Sequence, residues 1–248
     1  MNSYIMKFTV DKQHRDYFQK NGFIEFENFL SPDRLQLFNS AIDQSLVNRT
    51  SVPEHELRRL DSEQLFLQSR DMWRFSPELR KLICHPHLGE QVSELIEKKP
   101  IRLGYDQFFP APPLQVSRFE KVQSKYRLFL EQKTNLESIS SITDILCGLM
   151  ICLSKSGSHE EKNELLPEGE VDLFPSKAGN AIFFQPELVV DFDQLFEHAG
   201  QRYYLIVYTH STSLYHQQPN DPFGHALKHL GYIFNDRLSD KLNPIIYR

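Results

Sequence analysis

Histidines beside carboxylates are the first candidates for chemistry in this chain, because an imidazole and a carboxylate on one face can hold a divalent metal. His14-Arg15-Asp16 and Ser158-His159-Glu160 both have the His-x-acid spacing. On a strand, with its side-chain period of two, such a pair points to one side; on a helix, residues i and i+2 diverge. His14 falls in a segment with helical spacing and is expected at the surface. His159 lies in an acidic loop, where Ser158 to Glu161 fits a capping box equally well. His225 and His229 stand four apart in HALKH, which on a helix would align two imidazoles, with His216 or Asp221 as a third ligand. A solvated helix face is the simpler reading of that pair. His85-Pro86-His87 straddles a proline and reads as a helix junction, and Glu197-His198 lies in a polar loop just before Arg202. No Gly-x-Ser-x-Gly and no Gly-rich phosphate loop after a strand is present, so the usual serine-hydrolase and nucleotide-binding readings lack support.

The elements that must position these groups follow from periodicity. Asp11 to Lys20 has helical spacing and ends at Asn21-Gly22, and FIEFENFL after it alternates like a short strand. Ser31-Pro32-Asp33 supplies a cap, a first-turn proline and a first-turn acid, and Leu35, Phe38, Ile42 and Leu46 share one face behind it. Ser76-Pro77-Glu78 repeats that start, and Leu88, Val92, Leu95 and Ile96 continue with helical spacing up to Pro100. After Pro100 the period changes. IRLGYDQFF alternates over nine residues and stops at PAPP, and a charged helical segment is expected from Arg118 to Lys133. DILCGLMICLS, NAIFFQP and QRYYLIVYTHS are strand candidates, rich in β-branched and aromatic residues. The tail is expected to form a turn, a helix, a second turn, a short helix and an aromatic end. Helices first and strands second is an α+β plan.

Composition narrows the classes. At 248 residues the chain suits one large domain, 1–248, and the 19 Phe and 10 Tyr promise a ring-rich core. A net charge of -5 gives no basic footprint, so nucleic acid is disfavoured as a partner. ILCGLMICL is too short to span a bilayer and the N-terminus lacks a secretory pattern, so a cytoplasmic protein without a membrane role is expected. Cys84, Cys147 and Cys152 are read as reduced core residues. The last two lie five apart in a strand and should face opposite sides.

YFQKNGFIEFENFLSPDRLQLFNSAI resembles the N-terminal signature of the phytanoyl-CoA dioxygenase-like branch of the Fe(II)/2-oxoglutarate-dependent oxygenases. LGYDQFFPAPP is similar to the strand that opens their barrel, GNAIFFQP to their penultimate core strand, and QRYYLIVYTHS to their last, arginine-led one. The resemblance implies a double-stranded β-helix, a jelly-roll core at about 101–211, with flanking helices that are mostly N-terminal. It also implies a His-x-Asp pair, a second His on a later strand, and an arginine that holds the far carboxylate of 2-oxoglutarate. Arg202 takes the arginine's place. Tyr204, Ile206 and Tyr208 share its face, and Tyr105 lies on the opening strand, so Arg202, Tyr204 and Tyr105 are the candidate cosubstrate residues. A rim arginine paired with a nearby acid is the other reading of Arg202.

The iron ligands depart from the pattern. Phe119 to Ile145 contains no histidine, the second-His position falls on Asp191, and Ala111 stands where a lysine often precedes the two prolines. Asp191 and His198 are the remaining metal candidates. The expectation is therefore a degenerate relative that keeps the scaffold, does not bind iron in the usual way, and binds a small carboxylate or a protein partner. The alternative is an active oxygenase using Fe(II) and 2-oxoglutarate, with Asp191, His198 and His159 as relocated ligands. A divalent-metal-responsive or DNA-binding regulator is a third reading.

Overall fold

The computed structural model describes residues 9–57, 60, 62–111, 133–154, 172–192, 194–197 and 201–248. The N-terminal helices begin where the sequence supplies caps. Asp11 accepts the His14 N–H at 2.9 Å and starts α1 (Lys12–Asn21), which Gly22 closes in the left-handed region at φ 80°. A short strand, β1 (Phe23–Phe26), follows. Ser31 then caps α2 (Pro32–Thr50), whose Phe38, Ala41, Ile42 and Leu46 are buried. Two short helices, α3 (Glu54–Leu57) and α4 (Ser62–Leu67), precede the Ser76-capped α5 (Pro77–Ile83) and α6 (Pro86–Ile96). A 3₁₀ turn at Met72–Arg74 joins α4 to α5.

The strands are β2 (Ile101–Phe109), β3 (Lys133–Thr134), β4 (Ile145–Cys152), β5 (Ala181–Phe184), β6 (Val190–Asp191), β7 (Tyr203–His210) and β8 (Ile245–Tyr247), with a short helix α7 (Gln194–Glu197) before β7. Six of them form one sheet in the order β1-β5-β4-β7-β2-β8, with every pairing antiparallel. β3 and β6 form a separate pair. This is the α+β arrangement expected. The expected charged helix at 118–133 lies outside the described residues except for Lys133, which stands in β3.

Both faces of the large sheet are covered. Ile101, Leu103, Phe108, Leu149, Ile151, Phe183, Tyr204, Ile206 and Tyr208 pack against Phe38, Ile42, Trp73, Leu79, Val92 and Leu95 of the helical layer. Tyr105, Phe109, Met150, Ile182, Phe184, Tyr203, Leu205 and Val207 turn the other way, onto Leu136, Phe174, Val190, Phe192 and the tail residues Tyr215, Leu227 and Tyr232. Cys147 belongs to the first layer and Cys152 to the second, so the two thiols do face apart, and all three cysteines are free.

Two features differ from the sequence reading. The strict alternation of IRLGYDQFF breaks at Gly104: the register of β2 against β7 shifts between Leu103 and Tyr105, which sends Leu103 and Tyr105 to opposite faces. A Cβ at Gly104 would lie 3.0 Å from the Val207 carbonyl, so a glycine suits this bulge. In the tail the first expected helix is a 3₁₀ turn, Ala226–Leu230, the second short helix is not formed, and the aromatic end is the strand β8. β8 pairs with the start of β2, and Asn243 donates to the Leu103 and Gly104 carbonyls at 3.2 and 2.7 Å, satisfying the bulged backbone. No helix among the described residues is long and apolar enough to cross a membrane.

Candidate functional site

Arg202 enters the sheet one residue before β7. Its N–H donates to the Ser154 hydroxyl at 2.8 Å and its carbonyl accepts the Leu153 N–H at 2.8 Å, which fixes its backbone. The period of two then places its side chain with Tyr204, Ile206 and Tyr208, as the sequence predicts. That face, however, is the one covered by helices. The guanidinium makes a fork with Asp43 of α2, with Nη2 to Oδ1 at 2.6 Å and Nη1 to Oδ2 at 3.3 Å, and lies 4.9 Å over the Phe108 ring. The row of Arg202, Tyr204, Ile206 and Tyr208 therefore packs on the helical layer. Both faces of β7 carry rings, so alternation alone did not reveal which of them met the helices.

Tyr204 is buried on the same face, with its ring edge-on to Phe38 at 4.9 Å. Burial, followed by the neighbouring Asp106 charge, pushes its hydroxyl well above the usual range. Tyr105 lies on the other side of the sheet. Its hydroxyl is 2.6 Å from Ser140 Oγ, and the Arg70 guanidinium stacks 3.3 Å over its ring. Arg202 and Tyr204 therefore share a face, and Tyr105 is separated from both by the sheet.

Asp191 of β6 pairs across its two-stranded sheet with Lys133, at 3.0 Å. His198 and His159 lie outside the described residues. His14 sits in the α1 capping box, its ring edge-on to Phe26, and Asp16 is exposed. His225 and His229 do not fall on an α-helix: Ala226–Leu230 is a 3₁₀ turn, in which residues four apart do not align. Asp221, proposed with them, turns inward. Its carboxylate accepts the Ser141 N–H at 2.9 Å and the Phe223 N–H at 2.8 Å and lies 3.7 Å from Arg70. His85 caps α6 and His87 lies 3.1 Å from Glu90, a helix junction as expected.

On the opposite face of the sheet from Arg202, the space is filled by rings. Phe109 stacks on Phe192 at 5.7 Å, Phe174 meets Phe192 at 6.0 Å and Tyr203 at 5.2 Å, and the Tyr203 hydroxyl donates to Gln201 Oε1. Among the described residues no three His, Cys, Asp or Glu side chains come together as a metal site. Arg202 and Asp191, two of the charged residues the resemblance points to, are each engaged in an ion pair, with Asp43 and Lys133.

A buried polar cluster on β2 was missed in the sequence. Asp106, fully buried, accepts the Met72 and Trp73 N–H groups at 2.7 and 3.0 Å, and Gln107 donates to Phe66 O at 3.1 Å and to Ser69 Oγ at 2.9 Å. The signal was present, since Asp-Gln interrupts an otherwise apolar strand, and buried polar pairs of this kind demand partners.

No protein-family profile matches the chain, and no curated protein matches it in sequence. Solved structures do. The non-haem α-ketoglutarate-dependent carbocyclase SnoK from nogalamycin biosynthesis superposes with a TM-score of 0.62 at 14% identity, over 95% of this chain and 96% of SnoK. The non-haem α-ketoglutarate-dependent epimerase SnoN from the same biosynthesis gives 0.61 at 14% identity, over 96% and 98%. CytC3 with Fe(II) and α-ketoglutarate gives 0.50 at 16%, over 86% and 81%. At these identities the likeness concerns architecture, and the chain shares the fold of non-haem, α-ketoglutarate-dependent enzymes.

Proposed function

We propose that this chain is a degenerate relative of the phytanoyl-CoA dioxygenase-like oxygenases, with a double-stranded β-helix core, that does not hold iron through the usual triad and acts by binding. The observation that carries this reading is the state of Arg202. The residue that the resemblance assigns to the 2-oxoglutarate carboxylate is already forked onto a carboxylate of its own chain, Asp43, against the helical layer. A guanidinium fork satisfied in this way offers its paired donors to no further acid. Asp191, at the second-His position, is likewise engaged by Lys133. Binding is then directed to a protein partner, or to a small carboxylate able to displace Asp43.

Anaerobic addition of Fe(II) and 2-oxoglutarate tests the reading. The expected result is no metal-to-ligand charge-transfer absorption and no succinate on admitting oxygen. A charge-transfer band accompanied by succinate production overturns it and supports the active oxygenase built on Asp191, His198 and His159.

A further inference from the structure

On the helical face of the sheet, the start of α2 and the α5–α6 junction do not close on each other. Between them lies a cavity of about 40 Å³ that opens to solvent. Ile206, Ile151 and Phe38 are its most buried lining residues, and Phe29, Leu88 and the half-buried Leu82 complete its apolar part. A single water needs roughly 10–15 Å³, so the space suits about three or four non-hydrogen atoms. Apolar cavities hold water poorly, and the matching occupant is therefore a short hydrocarbon group.

The charge around this cavity has one sign. Arg34, half-buried, is the one charged side chain among the described residues that line it, and no carboxylate is among them. Its guanidinium carries five N–H donors, enough to take a ligand oxygen beside contacts within its own chain. His85, which caps α6, faces Arg34 and His87, and burial followed by those two neighbours holds its imidazole below the usual value. The cavity also meets two helix starts. Ser31 and Arg34 belong to the cap and first turn of the nineteen-residue α2, and Leu88 to the first turn of the eleven-residue α6. Both positive dipole ends thus lie on the side where Arg34 stands.

We propose that the cavity between the start of α2 and the α5–α6 junction binds a short aliphatic monocarboxylate, with its tail against Phe38, Ile151 and Ile206 and its carboxylate on Arg34. Apolar lining selects the tail, and a cationic mouth without a competing acid selects the head. This deepens the binding role proposed above, but it needs neither Arg202 nor Asp43 nor a metal. The absorption test with Fe(II) and 2-oxoglutarate therefore succeeds or fails separately from it.

Methyl NMR of the full chain, titrated with pentanoate, reads the site. The Leu82, Leu88, Ile151 and Ile206 methyls are expected to shift saturably at millimolar concentrations, while Leu205 and Val207 on the opposite face stay in place. In a series from acetate upward, affinity rises about three- to fourfold per methylene until the tail reaches about four carbons, and then levels because the cavity is full. Arg34→Gln weakens pentanoate about three- to tenfold. Pentanol, which has no charge for the mouth, binds the wild type more weakly than pentanoate by a similar factor. Absence of a saturable shift, equal binding of pentanol and pentanoate, or an affinity unchanged in Arg34→Gln would each overturn the site. A response lost in Arg202→Ala but kept in Arg34→Gln moves the carboxylate to Arg202 and refutes the proposal as well. Shifts of the same methyls that follow protein concentration, with none on adding pentanoate, assign the cavity to a second copy instead. Should Arg34→Gln fail to fold, the comparison of pentanol with pentanoate on the wild type decides.

Discussion

If Arg202 is a strut between β7 and α2, its replacement must weaken the fold in a way that depends on Asp43. The fork has one short and one longer hydrogen bond, 2.6 and 3.3 Å, between side chains that are each about a quarter exposed (24% and 25%). Solvent screening at that exposure holds the direct pair to about 1 kcal/mol. Loss of the cation over Phe108 adds about 0.5 kcal/mol or more. Arg202→Ala is therefore expected to lose about 1 to 2 kcal/mol, or very roughly 2 to 8 °C in Tm for a chain of this length. Urea unfolding of the wild type, Arg202→Ala, Asp43→Ala and the double variant gives the coupling directly, and about 1 kcal/mol is expected. Arg202→Lys keeps the charge and loses the fork, so it should fall between the wild type and Arg202→Ala. The same proteins are then heated with 2-oxoglutarate. A ligand at a hundred times its Kd stabilises by about 2.7 kcal/mol, a shift several degrees wide. Coupling indistinguishable from zero, together with a 2-oxoglutarate shift present in the wild type and absent in Arg202→Ala, refutes the strut and makes Arg202 a ligand-holding residue.

The inner face gives a second prediction. Phe192 is fully buried between Phe109 and Phe174, and Phe192→Ala should cost about 3 to 5 kcal/mol in urea unfolding. Gly148→Ala tests packing from the opposite direction: the added Cβ would lie 2.4 Å from Phe184 Cζ and 2.7 Å from Leu136 Cδ1, so a loss of about 1 to 3 kcal/mol is expected from the same assay. Lys133→Ala removes a partner that is 57% exposed, and should change the unfolding free energy by less than about 0.5 kcal/mol. Burial pushes the Cys147 and Cys152 thiols up to about 12, so thiol reagents at neutral pH should leave both intact until denaturant is added, and mild oxidation should not join them.

The N-terminal half was legible because its signals are local. Asp11, Ser31 and Ser76 each cap the helix that follows, within one turn, and no distant contact is needed to read them. The strand positions were legible as well, since apolar runs bounded by turn residues identify β4, β5 and β7. Facing was not. In β7 the even residues Tyr204, Ile206 and Tyr208 and the odd residues Tyr203, Leu205 and Val207 are equally apolar, because the sheet is covered on both sides. Arg202 could be placed at the head of its strand, but its partner Asp43 stands 159 residues away. The tail strand β8 escaped for the same reason: Ile245–Tyr247 is too short to announce itself, and only pairing with β2 makes it a strand.

Asp106 and Gln107 show how the non-local part can still leave a local trace. A nine-residue strand buried along its whole length has no cheap place for an acid and an amide. Their presence requires donors and acceptors from elsewhere, and neither adjacent strand can supply them, since its backbone groups are already committed to the ladder. A third segment must therefore run alongside, and it must offer backbone N–H groups to the acid. Ser69–Arg74 meets that requirement, with the Met72 and Trp73 N–H groups on Asp106 and the Phe66 carbonyl and Ser69 hydroxyl on Gln107. Asp106, Gln107 and Ser69 thus form a buried polar cluster where Ser69–Arg74 runs along β2, while the face of the sheet opposite Arg202 is packed with rings. A protein selected only to keep its scaffold could have replaced Asp106 and its partners with apolar side chains at little cost. Asp106 and its partners mark Ser69–Arg74, more than the Arg202 position, as the place where this chain's chemistry departs from simple packing.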